Sequence, residues 1–269
     1  MFIRELKANF KNFCLWAVIT MIVYLLIFLV YPSIIDDMDV NSLNDMIKMF
    51  PEDLLKAFNM DISSLESAYG WLKSEGFVFI LLIVGCYAGI LGSTILLKEE
   101  SDKSIEYLGT LPIKRKSIVL SKSIVGLIYI ISLTLVIGIF NYVGLCLSGD
   151  FDKKQYILLS LTPIFSSVVI FFICMFLSTF FNKTKKMLGI SLGIELFSYI
   201  LNTLASLSTN TEFLKYFSAF TLSDIRNVIL NKTYNMNLLA GCFTISIVFL
   251  IFTIIRYDKD VSRGLTKGI

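Results

Sequence analysis

Two groups of residues in this chain could carry chemistry, and they differ in kind. The first is built on Glu195, the one acidic residue inside an apolar run, with Ser191, Ser198 and Asn202 at i−4, i+3 and i+7 on the same helical face. A carboxylate in hydrocarbon needs a proton, a cation or a hydrogen-bond donor. The stripe therefore has two readings: it lines a path or subunit interface, with Glu195 protonated or paired to a cationic group, or it holds helices together through hydrogen bonds. The second group is the charged island Lys98 to Lys122, KEESDKSIEYLGTLPIKRKSIVLSK, set between two apolar runs. Ile105, Leu108, Leu111 and Ile113 stand among its charges, which a merely solvated loop does not require.

Much other chemistry is excluded. The chain has no histidine, so imidazole bases, His metal ligands and Ser-His or Cys-His nucleophiles are absent. Its five cysteines, Cys14, Cys86, Cys146, Cys174 and Cys242, stand singly in apolar runs and read as packing residues rather than a disulfide framework or metal site. No catalytic residues and no metal ligands are expected, and nothing points to a nucleic-acid partner.

The elements that position these groups follow from composition. The 269 residues are 56% apolar and only 17% charged, with a mean hydropathy of +0.76. Apolar windows of about twenty residues, roughly 30 Å long as helices, recur along the chain and match the hydrocarbon core of a bilayer. The expected fold is all-α: one polytopic transmembrane domain over 1–269 with six spans, near 14–31, 77–97, 123–147, 156–181, 187–207 and 237–255. Roughly 2.5–3.5 kcal/mol opposes a charge at mid-span, while about ten Leu, Ile and Phe in the fifth span each return roughly 0.3–0.6 kcal/mol, so that helix inserts despite Glu195.

Residues 1–13 carry Phe2, Leu6, Phe10 and Phe13 at helical spacing beside Arg4, Lys7 and Lys11. They are expected to form an interfacial helix on the membrane surface or to extend the first span. Pro32 is expected to close that span. Residues 33–76 are acidic, and Leu43, Met46, Ile47 and Phe50, then Leu54, Leu55 and Phe58 after Pro51, predict two amphipathic helices on the outer face. Gly85, Gly89 and Ser93 leave the second span open to close approach by another helix. Pro163 lies near the start of the fourth span, and Ser166 and Ser167 nearby are placed to help satisfy the freed backbone. Phe217, Phe220 and Leu222 are expected to anchor the polar segment 208–236 at the interface.

Charge sets the orientation. With both termini in the cytoplasm of a plasma-membrane protein, sixteen of the 24 basic residues face inward, and thirteen of the 21 acidic residues face outward. The 98–122 island is then cytoplasmic. A helix continuing the second span to Leu111, stopped by Pro112, leads to a short helix headed by Lys114, Arg115 and Lys116.

On these residues the chain resembles a known family. Glu100, Ser104, Glu106, Leu108, Pro112, Ile113, Arg115, Ile118 and Ser121-Lys122 look like the loop between the second and third spans of ABC type-2 exporter permeases. RELKANFKN at Arg4 to Asn12 and FPEDLLKAFNMD at Phe50 to Asp61 are also similar to members of that family. The resemblance implies six spans, a second permease copy or paralogue, and a separate ATP-binding-cassette ATPase docked on the island as a coupling helix. Glu100, Glu106, Leu108, Pro112 and Arg115 would form or support the docking surface. The chain has no GxxxxGK[ST] phosphate loop, so it holds no cofactor by that device, and ATP and magnesium are expected on the partner.

The implied function is export of a hydrophobic or amphipathic substrate, whether peptide, antibiotic or lipid-like. Ser191, Glu195, Ser198 and Asn202 are the candidate path. The competing function is a non-transporting immunity or sensor subunit that binds a ligand at its outer loop and has no need of an ATPase on the island.

Overall fold

A computed structural model describes residues 2–37, 67–101, 115–181, 183–207 and 209–266. Six long helices make up most of it: α1 (Phe2–Asp37), α2 (Phe77–Ser101), α3 (Arg115–Ser148), α4 (Lys153–Ser178), α5 (Thr184–Leu207) and α6 (Met236–Thr266). Each is long and apolar enough to cross a membrane. The chain is thus an all-α polytopic membrane protein. The two amphipathic helices expected on Leu43 to Phe50 and Leu54 to Phe58 lie outside the described residues.

Burial ranks the helices. The second is the core of the bundle and packs chiefly against α4, then α5 and α3, while α1 and α6 are the most exposed. Apolar side chains such as Leu15, Leu26, Ile139, Phe197 and Phe243 point outward, the arrangement that suits a solvent of lipid tails. With no hydrophobic drive between helices in lipid, close packing must hold them together, and small residues permit it. Gly92 lies against the backbone carbonyl of Phe171 in α4, and the Phe171 ring fills the hollow at Gly126 in α3. One residue of α4 thus fits two glycines on two neighbours.

Pro32 acts differently from expectation. The first helix does not stop at Tyr31 but continues through Pro32 to Asp37, and residues 2–13 run into it without a break. A proline removes one N–H and tilts a helix without having to end it. Pro163 likewise sits inside α4. The carbonyl it deprives of a donor is that of Leu159, and the hydroxyl of Thr162 donates to it at 2.8 Å. Thr162 therefore makes the repair expected of Ser166 and Ser167.

Side-chain hydrogen bonds close one end of the bundle. Tyr24 donates to the Gly76 carbonyl at 2.7 Å, and Gln155 accepts from Tyr69 and donates to the Ile229 carbonyl. The 209–223 segment folds into two 3-10 turns, Thr209–Phe217 and Ala219–Ser223. Phe220 is buried against Tyr199, whereas Phe217 is exposed.

Candidate functional site

The seam between α2 and α5 is where glycine spacing and the polar stripe meet. Gly85 and Gly89 face α5: a Cβ at Gly85 would overlap the Glu195 carboxylate, and one at Gly89 would touch Cβ of Ser191 at 3.5 Å. The carboxylate thus occupies the hollow that Gly85 leaves. Cys86 of α2 and Cys174 of α4 are its electrostatic neighbours. Ile170 and Cys174 belong to a small apolar cluster with Leu97 and Met187 along the same seam.

The four stripe residues have separate fates. Ser191, Glu195 and Ser198 are buried, and Asn202 is half-buried. Ser191 donates to the Leu188 carbonyl of its own helix. Ser198 meets the Ser218 hydroxyl at 3.1 Å and accepts from the Ala219 N–H at 2.8 Å, and Asn202 accepts from Thr221 at 3.4 Å. The upper stripe is therefore taken up in holding the 3-10 segment. Glu195 has no hydrogen-bond partner at either carboxylate oxygen among the described residues.

At one end of the bundle the start of α1, the end of α2, the start of α3 and the end of α6 come together. Lys122 Nζ lies 3.3 Å from Glu5 Oε2 and donates to the Ile95 carbonyl at 2.6 Å. Lys122 is 1% exposed and Glu5 6%. Further along α3, the Tyr129 hydroxyl donates to the Leu6 carbonyl and fixes α1 on α3 a second time. Arg115 donates to the Asp258 carbonyl of α6 at 3.1 Å, and the Arg256 guanidinium stacks 4.8 Å over the Phe180 ring.

Of the residues expected to form the docking surface, Arg115 opens α3 and Glu100 lies in the last turn of α2. Glu106, Leu108 and Pro112 fall outside the described residues. Sequence reasoning does not single out the Glu5–Lys122 pair, though a signal for half of it exists. Ile118, Val119, Lys122, Val125, Gly126 and Tyr129 recur at helical spacing and are all buried, so Lys122 interrupts an apolar face. Nothing local marks Glu5 as its partner.

Among the described residues, no group of three or more His, Cys, Asp or Glu side chains is placed to hold a metal ion. No curated protein and no solved structure matches the chain. A family model described as ABC-2 family transporter protein matches residues 2–260. With six apolar helices and a match running almost end to end, the chain belongs to the ABC-2 family of membrane transporter proteins, as one of its non-catalytic permease subunits.

Proposed function

We propose that the chain is the permease of an ABC exporter and moves a hydrophobic or amphipathic molecule across the plasma membrane, driven by a separate ATPase. Both termini and the 98–122 island face the cytoplasm, and the ATPase, carrying ATP and magnesium, docks on that island. A second copy of the chain or a related subunit completes the transport unit. Family membership supports the transport role. The charge asymmetry supports the orientation.

The observation that carries the coupling is the clasp around Lys122. Its ammonium joins the end of α2, through the Ile95 carbonyl, to the start of α3, and pairs with Glu5 of α1. The second and third helices are the two from which the island is suspended. A displacement of the island therefore moves α1, α2 and α3 together instead of flexing a loose loop. Glu106 and Arg115 would fix the charge complementarity of the docked surface, Leu108 would be its buried knob, and Glu100 and Pro112 would support it. The candidate path Ser191, Glu195, Ser198 and Asn202 runs along α5, with Ser191 and Glu195 against α2 and Ser198 and Asn202 against the 209–223 segment.

Co-purification tests this function. Wild type is expected to retain an ATPase subunit, and Leu108→Asp or Glu106→Arg to lose it while still inserting in the membrane. A chain that purifies without an ATPase and still binds a ligand at its outer segments would favour the sensor or immunity reading instead.

A further inference from the structure

We propose that Glu195 is the receiving group for a positively charged nitrogen, a primary ammonium or a guanidinium, on the molecule that the permease moves. The inference rests on the permease reading and adds the substrate's chemical class. Its starting point is a contrast between two buried acids of the long helices. Glu5 and Glu195 are both buried, but Glu5 has Lys122 within ion-pair distance, whereas neither Glu195 oxygen has a hydrogen-bond partner among the described residues.

Among the described residues no group donates a hydrogen bond to either oxygen. Across the seam α2 presents Gly85 and Gly89, which have no side chains, and Cys86, while α4 presents Cys174 and Ile170. On its own helix Ser191 is committed to the Leu188 carbonyl and Ser198 to the 3-10 segment. A buried carboxylate with four lone-pair sites and no hydrogen bond from the described residues suits a ligand group that brings both the positive charge and the N–H donors. The apolar walls set the rest of the ligand. Ile170 of α4 lies along the seam beside Gly89, one helical turn from Gly85, so an amphipathic cation with an apolar body fits better than a small hydrophilic one.

Gly85 explains how such a site can close between ligands. The carboxylate packs into the glycine hollow, so α2 and α5 touch without a gap. When the helices part, the same hollow lets an ammonium approach the carboxylate from the α2 side with no side chain in the way.

The test uses two probes that differ in one charge: dansylcadaverine, which carries a primary ammonium, and its N-acetylated form. Fluorescence titration of the purified full-length chain in lipid nanodiscs is expected to show about tenfold or greater preference for the ammonium probe, the scale of a charge-assisted hydrogen bond. Glu195→Gln, isosteric but uncharged, is expected to abolish the preference. Gly85→Ala keeps the charge but puts a methyl in the hollow, and is expected to weaken the ammonium probe selectively. Equal affinity for the two probes in wild type, or a preference that survives in Glu195→Gln, overturns the proposal. Because this reads binding to the chain alone, its failure is separate from a failure of ATPase docking, which co-purification reports.

Discussion

Lys122 of α3 is almost wholly buried and reaches two other helices at once, pairing with Glu5 of α1 at 3.3 Å and donating to the Ile95 carbonyl of α2 at 2.6 Å. Removing one member of a buried ion pair leaves the other charge uncompensated, which costs about 3–5 kcal/mol, whereas removing both is far milder. Lys122→Met and Glu5→Gln should each lower unfolding stability in nanodiscs by that order. The double variant should recover most of the loss. A double variant as unstable as the sum of the singles would show that the two residues do not act as a pair.

The glycines divide into those that packing requires and those it does not. A side chain at Gly92 would meet the Phe171 backbone carbonyl, which cannot rotate away, while Gly189 and Gly193 have nothing within 4 Å of the point where a methyl group would stand. Gly92→Val should therefore cost about 1–3 kcal/mol or more by overpacking. Gly189→Ala and Gly193→Ala should be neutral or stabilise by up to about 1 kcal/mol, since alanine is the better helix former. Thermal unfolding of the three variants separates the two classes.

Thr162 and Pro163 form a local compensation. The threonine hydroxyl supplies the donor that the proline lacks at the Leu159 carbonyl. Thr162→Val should cost about 1–3 kcal/mol by leaving that buried carbonyl unsatisfied. In a Pro163→Ala background, where a backbone N–H returns, the same substitution should cost much less, and a double-mutant cycle measures the difference.

Asp152 caps α4 by accepting from the Lys154 and Gln155 N–H groups and pairs with Lys232 at the far end of the bundle from Lys122. The hydrogen bond from Lys232 and those from the backbone hold its carboxyl below the ordinary aspartate value. A carboxyl with a depressed folded-state value contributes stability that is complete above the unfolded value and fades as pH falls through the folded one. Unfolding should thus be insensitive to this group near neutrality and become easier in acid. Asp152→Asn should remove that part of the acid dependence, as pH-dependent unfolding of the two proteins will show.

The sequence is most informative where periodicity and composition act alone. Six apolar windows and the Gly85, Gly89 spacing point to six spans and a close helix contact, because length and small side chains determine both. Proline misleads at Pro32: it marks a missing N–H, and whether the helix ends there depends on what else can supply a donor or absorb the bend. The stripe through Glu195 is visible in the sequence, but the capture of Ser198 and Asn202 by the 209–223 segment is a tertiary event that helical spacing does not encode. The same holds for Glu5 and Lys122, whose pairing requires knowing that α1 lies along α3.

The central proposition is that the segment between α2 and α3 lies in the cytoplasm against a docked ATPase. Its most direct test is a single reporter, Leu108→Cys in a chain whose five native cysteines have been replaced, challenged with a membrane-impermeant maleimide. The account predicts that Leu108→Cys is labelled in inside-out vesicles stripped of the ATPase, is unlabelled in intact cells, and is shielded when the ATPase is restored. Labelling from outside intact cells, or labelling that the ATPase leaves unchanged, would contradict it.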